Sequence, residues 1–352
     1  MTMLESPLDY TTGSRQSDTE FLDARTTPLR ITALGGGTGL AALLQGLRVM
    51  HFPVGVRDEA DQERLTAIVT VADDGGSSGA LRRGYGVLAP GDIRNCLLAL
   101  SDADPTLQEL FNFRFHGEFG DHSLGNLMLT ALALLEKDFG RAVERASKLL
   151  DIHGRVLPAT LDDVQLLAEF VDGSSSMGES HIAVAGRRIK RVSLVPRDSR
   201  ALPQALHAIA GSHLVVLGPG SLYTSIIPVL LVKGMAQAIA DSGARVVVVM
   251  NLMSEPGETD GYSAADVINA IREHVPEMPI HKILINSNKP SAEHLRRYAA
   301  GGSEPITVDT VFMKTLGCRA IKCDLLGDGP KVRHEPCKLA RALLNLALEE
   351  MP

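Results

Sequence analysis

The run LRITALGGGTGL, Leu29–Leu40, constrains this chain more than any other feature. A short apolar strand breaks into four glycines within five residues. An amphipathic helix follows, with Leu40, Leu43, Leu44 and Leu47 on one face. Glycine lets a backbone come close to an anion, and the first helical N–H groups point at it. The run is not a Walker loop, because no Lys-Ser or Lys-Thr follows the last glycine. It is not a clean dinucleotide fingerprint either, since the third glycine of G-x-G-x-x-G would fall at Leu40. Alone it reads equally as a tight turn or a phosphate cradle.

Similar junctions recur downstream. The pattern predicts strands at Ile31–Leu34, Leu65–Ala72, Leu214–Leu217, Ala244–Met250 and Lys282–Ile285. Helical runs are expected at about Thr38–Arg48, from Asp92, from Ser123, and over about Phe139–Leu150. Others are expected after GPGS, from Ser263, at about Ser291–Ala300 and at about Pro336–Glu350. Short all-apolar strands between helices imply an α/β fold, a largely parallel sheet covered by helices on both faces. The pattern changes over about 155–197, where Val164–Val171, His181–Ala185 and Ile189–Val195 read as β segments of a small β-rich insert. Residues 1–28 are polar and aperiodic and are expected to be a mobile tail before one domain, 29–352.

Composition narrows the function. The 352 residues suffice for a sizeable core, and a net charge of −7 argues against a nucleic-acid binder. The cluster Arg187, Arg188, Lys190 and Arg191 alternates with apolar residues and reads as a solvated edge or hairpin. The four cysteines, Cys96, Cys318, Cys323 and Cys337, have no metal or redox spacing and suit a reducing cytosol. No signal-peptide pattern or membrane-span run is present in the sequence.

In an open parallel sheet, ligands bind beyond the carboxyl ends of the strands. Four loops fall at such ends: GGGTGL, DDGGSSG, GPGSLYTS and NLMSEPGETDGY. Together they point to a phosphate-bearing ligand. Asp73 and Asp74 suit a divalent cation or a ribose hydroxyl, or simply an Asp-Gly turn. Ser77 and Ser78 sit among glycines and offer donors to an anion. Asp92 reads as an N-cap, whereas Arg94 and Asn95 are candidates for ligand contact. His122 is a candidate base or ligand, without a second His at zinc spacing. Asn126 suits a base or sugar contact, or a buried cap network. Ser221 and Thr224 open a second anion loop, with no G-x-S-x-G elbow to make a serine catalytic. Asn251, Glu255, Glu258, Thr259 and Tyr262 crowd the fourth loop, where Tyr262 could stack on a base or bond a sugar. Arg296 and Arg297 could reach a pyrophosphate.

Taken in order, GGGTGL, VTVADDGGSSG, APGDIRNCLLAL, HSLGNLMLTAL, GPGSLYTSIIP and NLMSEPGETDGY resemble the YvcK-type gluconeogenesis factors of the CofD-like group. The resemblance runs from about Leu29 to about Leu348. It implies a Rossmann-like fold and a cytoplasmic bacterial protein that binds UDP-sugars, notably UDP-N-acetylglucosamine. It further implies support of cell shape and envelope synthesis under gluconeogenic growth, with no established reaction. The implied ligand residues are Gly36, Gly37, Thr38, Asp73, Asp74, Asn95, Asn126, Gly220, Ser221 and Leu222, with Tyr262 and Arg297 toward the sugar-diphosphate end. Ala80, Ala89 and Asp121 depart from the family pattern; the first removes a phosphate partner.

The leading expectation is a UDP-sugar-binding regulator without turnover. The alternative is a Mg2+-dependent enzyme similar to 2-phospho-L-lactate transferase, in which Asp73 or Asp74 holds the metal. A nicotinamide-dependent dehydrogenase comes last, given the imperfect fingerprint, so NAD and GDP are weaker ligand candidates than a UDP-sugar. A homo-oligomer and a regulatory protein partner are both compatible with the sequence.

Overall fold

The computed structural model describes residues 29–52, 61–117 and 120–349. The expected tail over residues 1–28 lies outside them. Strand β1 (Ile31–Gly35) leads into helix α1 (Gly37–His51). Strand β2 (Leu65–Val69) is followed by α2 (Gly76–Tyr85), α3 (Gly91–Leu100), α4 (Pro105–Asn112), α5 (Leu124–Glu136) and α6 (Phe139–Leu149). Next come β3 (Arg155–Pro158), β4 (Gln165–Phe170), β5 (Ser175–Met177), α7 (Glu179–Val184) and β6 (Ile189–Val195). Helix α8 (Pro203–Ala210) and β7 (Leu214–Leu217) precede a π-turn, Leu222–Ile226, that runs into α9 (Ile227–Leu231) and then α10 (Met235–Asp241). The chain closes with β8 (Arg245–Val249), α11 (Ala264–His274), β9 (Lys282–Asn286), α12 (Ala292–Ala300), α13 (Thr310–Thr315), β10 (Arg319–Cys323) and α14 (Pro336–Leu348).

Seven strands form one parallel sheet in the order β10-β9-β8-β7-β1-β2-β3. The chain builds outward from β1 to β3, then returns to lay β7 beside β1 and builds outward to β10. This reversal makes a crevice beyond the carboxyl ends of β1 and β7, where doubly wound folds take ligands. The central strands are mainly apolar and, apart from Arg245 at the start of β8, buried on both faces, as a sheet covered on both sides requires. Helices α1, α3, α5, α6 and α14 pack together on one face, and α8 to α11 on the other. Helix α14 lies on α1, where a Cβ on Gly46 would collide with the Pro336 carbonyl. No helix among the described residues is long and apolar enough to cross a membrane.

Two expectations about the insert change. Arg155–Pro158, placed in it by sequence, is the edge strand of the main sheet, parallel to Thr66–Val69. The separate antiparallel sheet, β5-β4-β6, begins only at Gln165. His181–Ala185, read as β, falls largely within helix α7. Asp74, distant in sequence, accepts the Ser180 N–H at 2.9 Å and satisfies a donor of that helix's first turn. Arg82 further ties the insert to α2 by donating to the Val164 carbonyl and to Asp163, each at 2.7 Å. On the other side His274 accepts the Val192 N–H at 3.0 Å.

Gly46→Val is expected to cost roughly 1–3 kcal/mol by wedging α14 off α1. A lower thermal midpoint would show it; an unchanged midpoint would mean that the two helices do not bear on each other this closely.

Candidate functional site

The glycine loop after β1 and the GPG loop after β7 meet at the crevice. A Cβ on Gly39 would strike the Pro219 carbonyl, so only glycine permits this approach. Asn251, from the loop after β8, grips Gly220 at both ends: its Oδ1 accepts the Gly220 N–H at 3.0 Å and its Nδ2 donates to the Gly220 carbonyl at 2.8 Å. Glu258 accepts the Tyr223 N–H at 3.2 Å and the Thr224 hydroxyl at 2.8 Å. The Ser221 hydroxyl hydrogen-bonds Glu255. These contacts frame a cavity of about 860 Å³. Gly37, Thr38, Gly220, Ser221, Asn251 and Glu255 line it, together with Arg297 of α12 and Lys331, Arg333 and His334 of the segment before α14. That volume lies in the range that takes a drug-sized or cofactor-sized ligand.

A polar arm extends over β2. Asp92 accepts the Gly37 N–H, and its carboxylate fills the place a Gly36 side chain would need. Asp73 folds back on the Gly75 N–H at 2.8 Å. Ser77 Oγ lies 2.9 Å from His122 Nδ1 and accepts from Asn126 Nδ2 at 3.1 Å. Arg94 donates to Ser123 and, at 2.7 Å, to Asn95 Oδ1. Asn126 is buried and its Oδ1 has no partner.

The arm is rich in carboxylates, and burial raises three carboxyls in or beside it, Glu179, Asp92 and Glu258. Burial, then Asp73, Glu258, Asp74 and Asp92, push Glu179 up to about 8. Burial and Asp73 raise Asp92 to about 6, against the pull of the Gly37 N–H and Arg94. Burial and Glu255 raise Glu258 to about 7. Crowded carboxyls in a low-dielectric site keep protons because each charge disfavours the next. Among the described residues no three of His, Cys, Asp and Glu gather as metal ligands. Mg2+ at Asp73 and Asp74 would need ligand phosphate oxygens to complete its shell, a common arrangement for that ion.

The sequence candidates therefore sort into three places. Gly37, Thr38, Gly220, Ser221 and Arg297 line the cavity, with Gly36 beside it. Asp73, Asp74, Ser77, Asn95 and Asn126 belong to the arm over β2. Tyr262 lies in neither: it hydrogen-bonds Tyr223 at 2.9 Å, sits under Arg188, and lines a separate pocket against β6. Leu222 is buried and does not line the cavity. Arg296 is exposed away from the cavity, unlike Arg297. Sequence reading missed Glu179, which carries no motif, and Lys331, Arg333 and His334, which lie beyond the last glycine-rich loop. Only the pairing of α7 with Asp74, and of the 324–335 segment with α12, brings them in.

Glu179 keeps its proton in the folded protein to about pH 8, well above its ordinary carboxyl value. The folded chain then holds more protons than the unfolded chain between those values, so this group erodes stability as pH rises through that window. Glu179→Gln is expected to match the parent's thermal midpoint near pH 5 and exceed it near pH 8. Parallel midpoints across that range would place Glu179 outside the acid cluster.

Comparison with known proteins agrees with this architecture. The family model described as 2-phospho-L-lactate transferase CofD matches residues 31–326. A putative gluconeogenesis factor of Nostoc is 47% identical over 321 residues, covering 90% of this chain and 68% of its own. The gluconeogenesis factor of Bacillus subtilis is 42% identical over 323 residues, covering 91% and 98%. A crystal structure of a UPF0052 family protein from Bacillus halodurans superposes with a TM-score of 0.85 at 41% identity, covering 91% of this chain and 99% of that one. A parallel sheet with its glycine loops at the switch point, matched in sequence and structure along nearly all its described length, places this chain in the CofD family, among the gluconeogenesis factors.

Proposed function

We propose that this protein is a cytoplasmic regulator that binds a UDP-sugar, UDP-N-acetylglucosamine, in the cavity at the switch point, without turning it over. One observation carries the reading: two glycine loops meet at a cavity of about 860 Å³ whose lining also includes Arg297, Lys331 and Arg333. The loops suit the close approach of a diphosphate, and the cations suit its charge. The acidic arm over β2 would face hydroxyl-rich or cationic groups. The relatives bear the name gluconeogenesis factor, which supports a role in growth on gluconeogenic carbon. On this reading the bound nucleotide sugar reports envelope precursor supply and so supports cell shape.

The test is titration calorimetry of the purified protein with UDP-N-acetylglucosamine, with and without Mg2+, beside GDP and NAD, with the mixtures assayed for product. Selective UDP-sugar binding without product is expected. A preference for GDP with a Mg2+ requirement would move the assignment to the transferase reading, with Asp73 and Asp74 as metal ligands. Arg297→Ala is expected to weaken UDP-sugar binding roughly 10-fold or more, as for a lost charge-assisted hydrogen bond. The adjacent, outward-facing Arg296→Ala should leave it unchanged. Equal affinities for the two variants would remove Arg297 from the site.

A further inference from the structure

The segment 324–335, between β10 and α14, forms a strap along one wall of the cavity. It folds on itself as a hairpin: Leu326 and His334 pair antiparallel, Gly327 N–H donates to the Arg333 carbonyl at 3.0 Å, and Glu335 N–H to the Leu325 carbonyl at 2.8 Å. Two ties hold it to α12. The Arg297 guanidinium donates to the Pro330 carbonyl, and the Tyr298 hydroxyl accepts the Val332 N–H at 3.0 Å. Lys331 and Arg333 bring charge to the cavity, whereas His334 brings something different.

The His334 ring neighbours the carbonyl of Met250, just past the end of β8, which favours a proton on the ring nitrogen facing it. The other, Nε2, is sealed from solvent and has no hydrogen-bond partner. In a neutral imidazole whose other nitrogen carries the proton, Nε2 is an acceptor. Burial pushes the ring down to about 4, so it stays neutral at physiological pH. A buried acceptor without a partner costs about 1–3 kcal/mol. Native proteins seldom leave such a group unmatched. Phosphate oxygens are acceptors and cannot serve it; Arg297, Lys331 and Arg333 already suit them.

We propose that His334 is a specificity-determining residue of the cavity, whose Nε2 accepts a hydrogen bond from an uncharged N–H or O–H of the nucleotide sugar. The inference deepens the UDP-sugar reading and rests on it. Two parts of such a ligand carry this chemistry: the imide N–H of the base, and the hydroxyl and amide groups of the sugar. Because the strap covers Nε2, the ligand reaches it as the strap shifts. Arg297 is placed to couple the two events, since a diphosphate that engages it competes with the Pro330 carbonyl.

The experiment is calorimetry on the full chain with UDP-N-acetylglucosamine, comparing the parent with His334→Phe and His334→Gln. Phenylalanine keeps the ring's bulk without an acceptor; glutamine restores an acceptor oxygen. The phenylalanine variant is expected to bind about 10-fold more weakly, as for one lost hydrogen bond, and the glutamine variant to recover most of that loss. Two further ligands identify the donor. If the base supplies it, an N3-methylated uridine analogue loses the same factor on the parent and nothing on His334→Phe. If the sugar supplies it, plain UDP behaves that way instead. Equal affinity of the parent and His334→Phe, with matching melting curves, overturns the inference and leaves the ligand reading intact. A parent that binds no UDP-sugar overturns the ligand reading, and this role with it. Should His334→Phe not fold, the nitrogen-15 shift of Nε2 in the parent decides. An upfield move on adding UDP-N-acetylglucosamine supports the bond, and no move overturns it.

Discussion

The site depends on one close contact, the approach of the glycine loop after β1 to the GPG loop after β7. These strands are neighbours in the sheet although about 180 residues apart in the chain. Their loops can meet only if no side chain intervenes, which is why Gly39 faces the Pro219 carbonyl and Gly36 faces the Asp92 carboxylate. Asn251 then locks the GPG loop from the next strand along. The cavity, the acid arm and the strap are all positioned relative to this junction.

The junction also divides charge. On the β2 side, burial and mutual repulsion hold Asp92 and Glu179 partly or largely protonated near neutrality. On the α12 side stand Arg297, Lys331 and Arg333, with a neutral His334 behind them. The two sides of the junction thus differ in electrostatic character, cationic toward α12 and carboxyl-rich toward β2. The insert takes part in this, because Asp74 accepts from the first turn of α7, the turn that carries Glu179 into the acid cluster.

Local sequence carried the framework. Leu214–Leu217 is apolar from end to end and Arg245–Val249 is apolar after its exposed Arg245, and only burial on both faces of a parallel sheet accommodates such runs. Caps marked helix starts, as with Ser263, whose side chain and that of Asp266 form a capping box. Two element expectations failed where a distant partner overrides local preference. His181–Ala185 is β-prone alone and helical under Asp74. Arg155–Pro158 looks like part of the insert, yet pairs with β2. The placement of Tyr262 was equally illegible, since its neighbours Tyr223 and Arg188, with which it lines a pocket, lie far from it in the chain.

By itself, the sequence determined an α/β chain with glycine loops at strand ends, because hydrophobic period and glycine content act over a few residues. It also determined the residue types at each loop. Only the tertiary structure decided which loops share a cavity, that Glu179 joins the acids of β2, and that His334 joins the cavity lining. Those outcomes depend on strand order and on hydrogen bonds between residues far apart in the chain, and no local pattern encodes such distances.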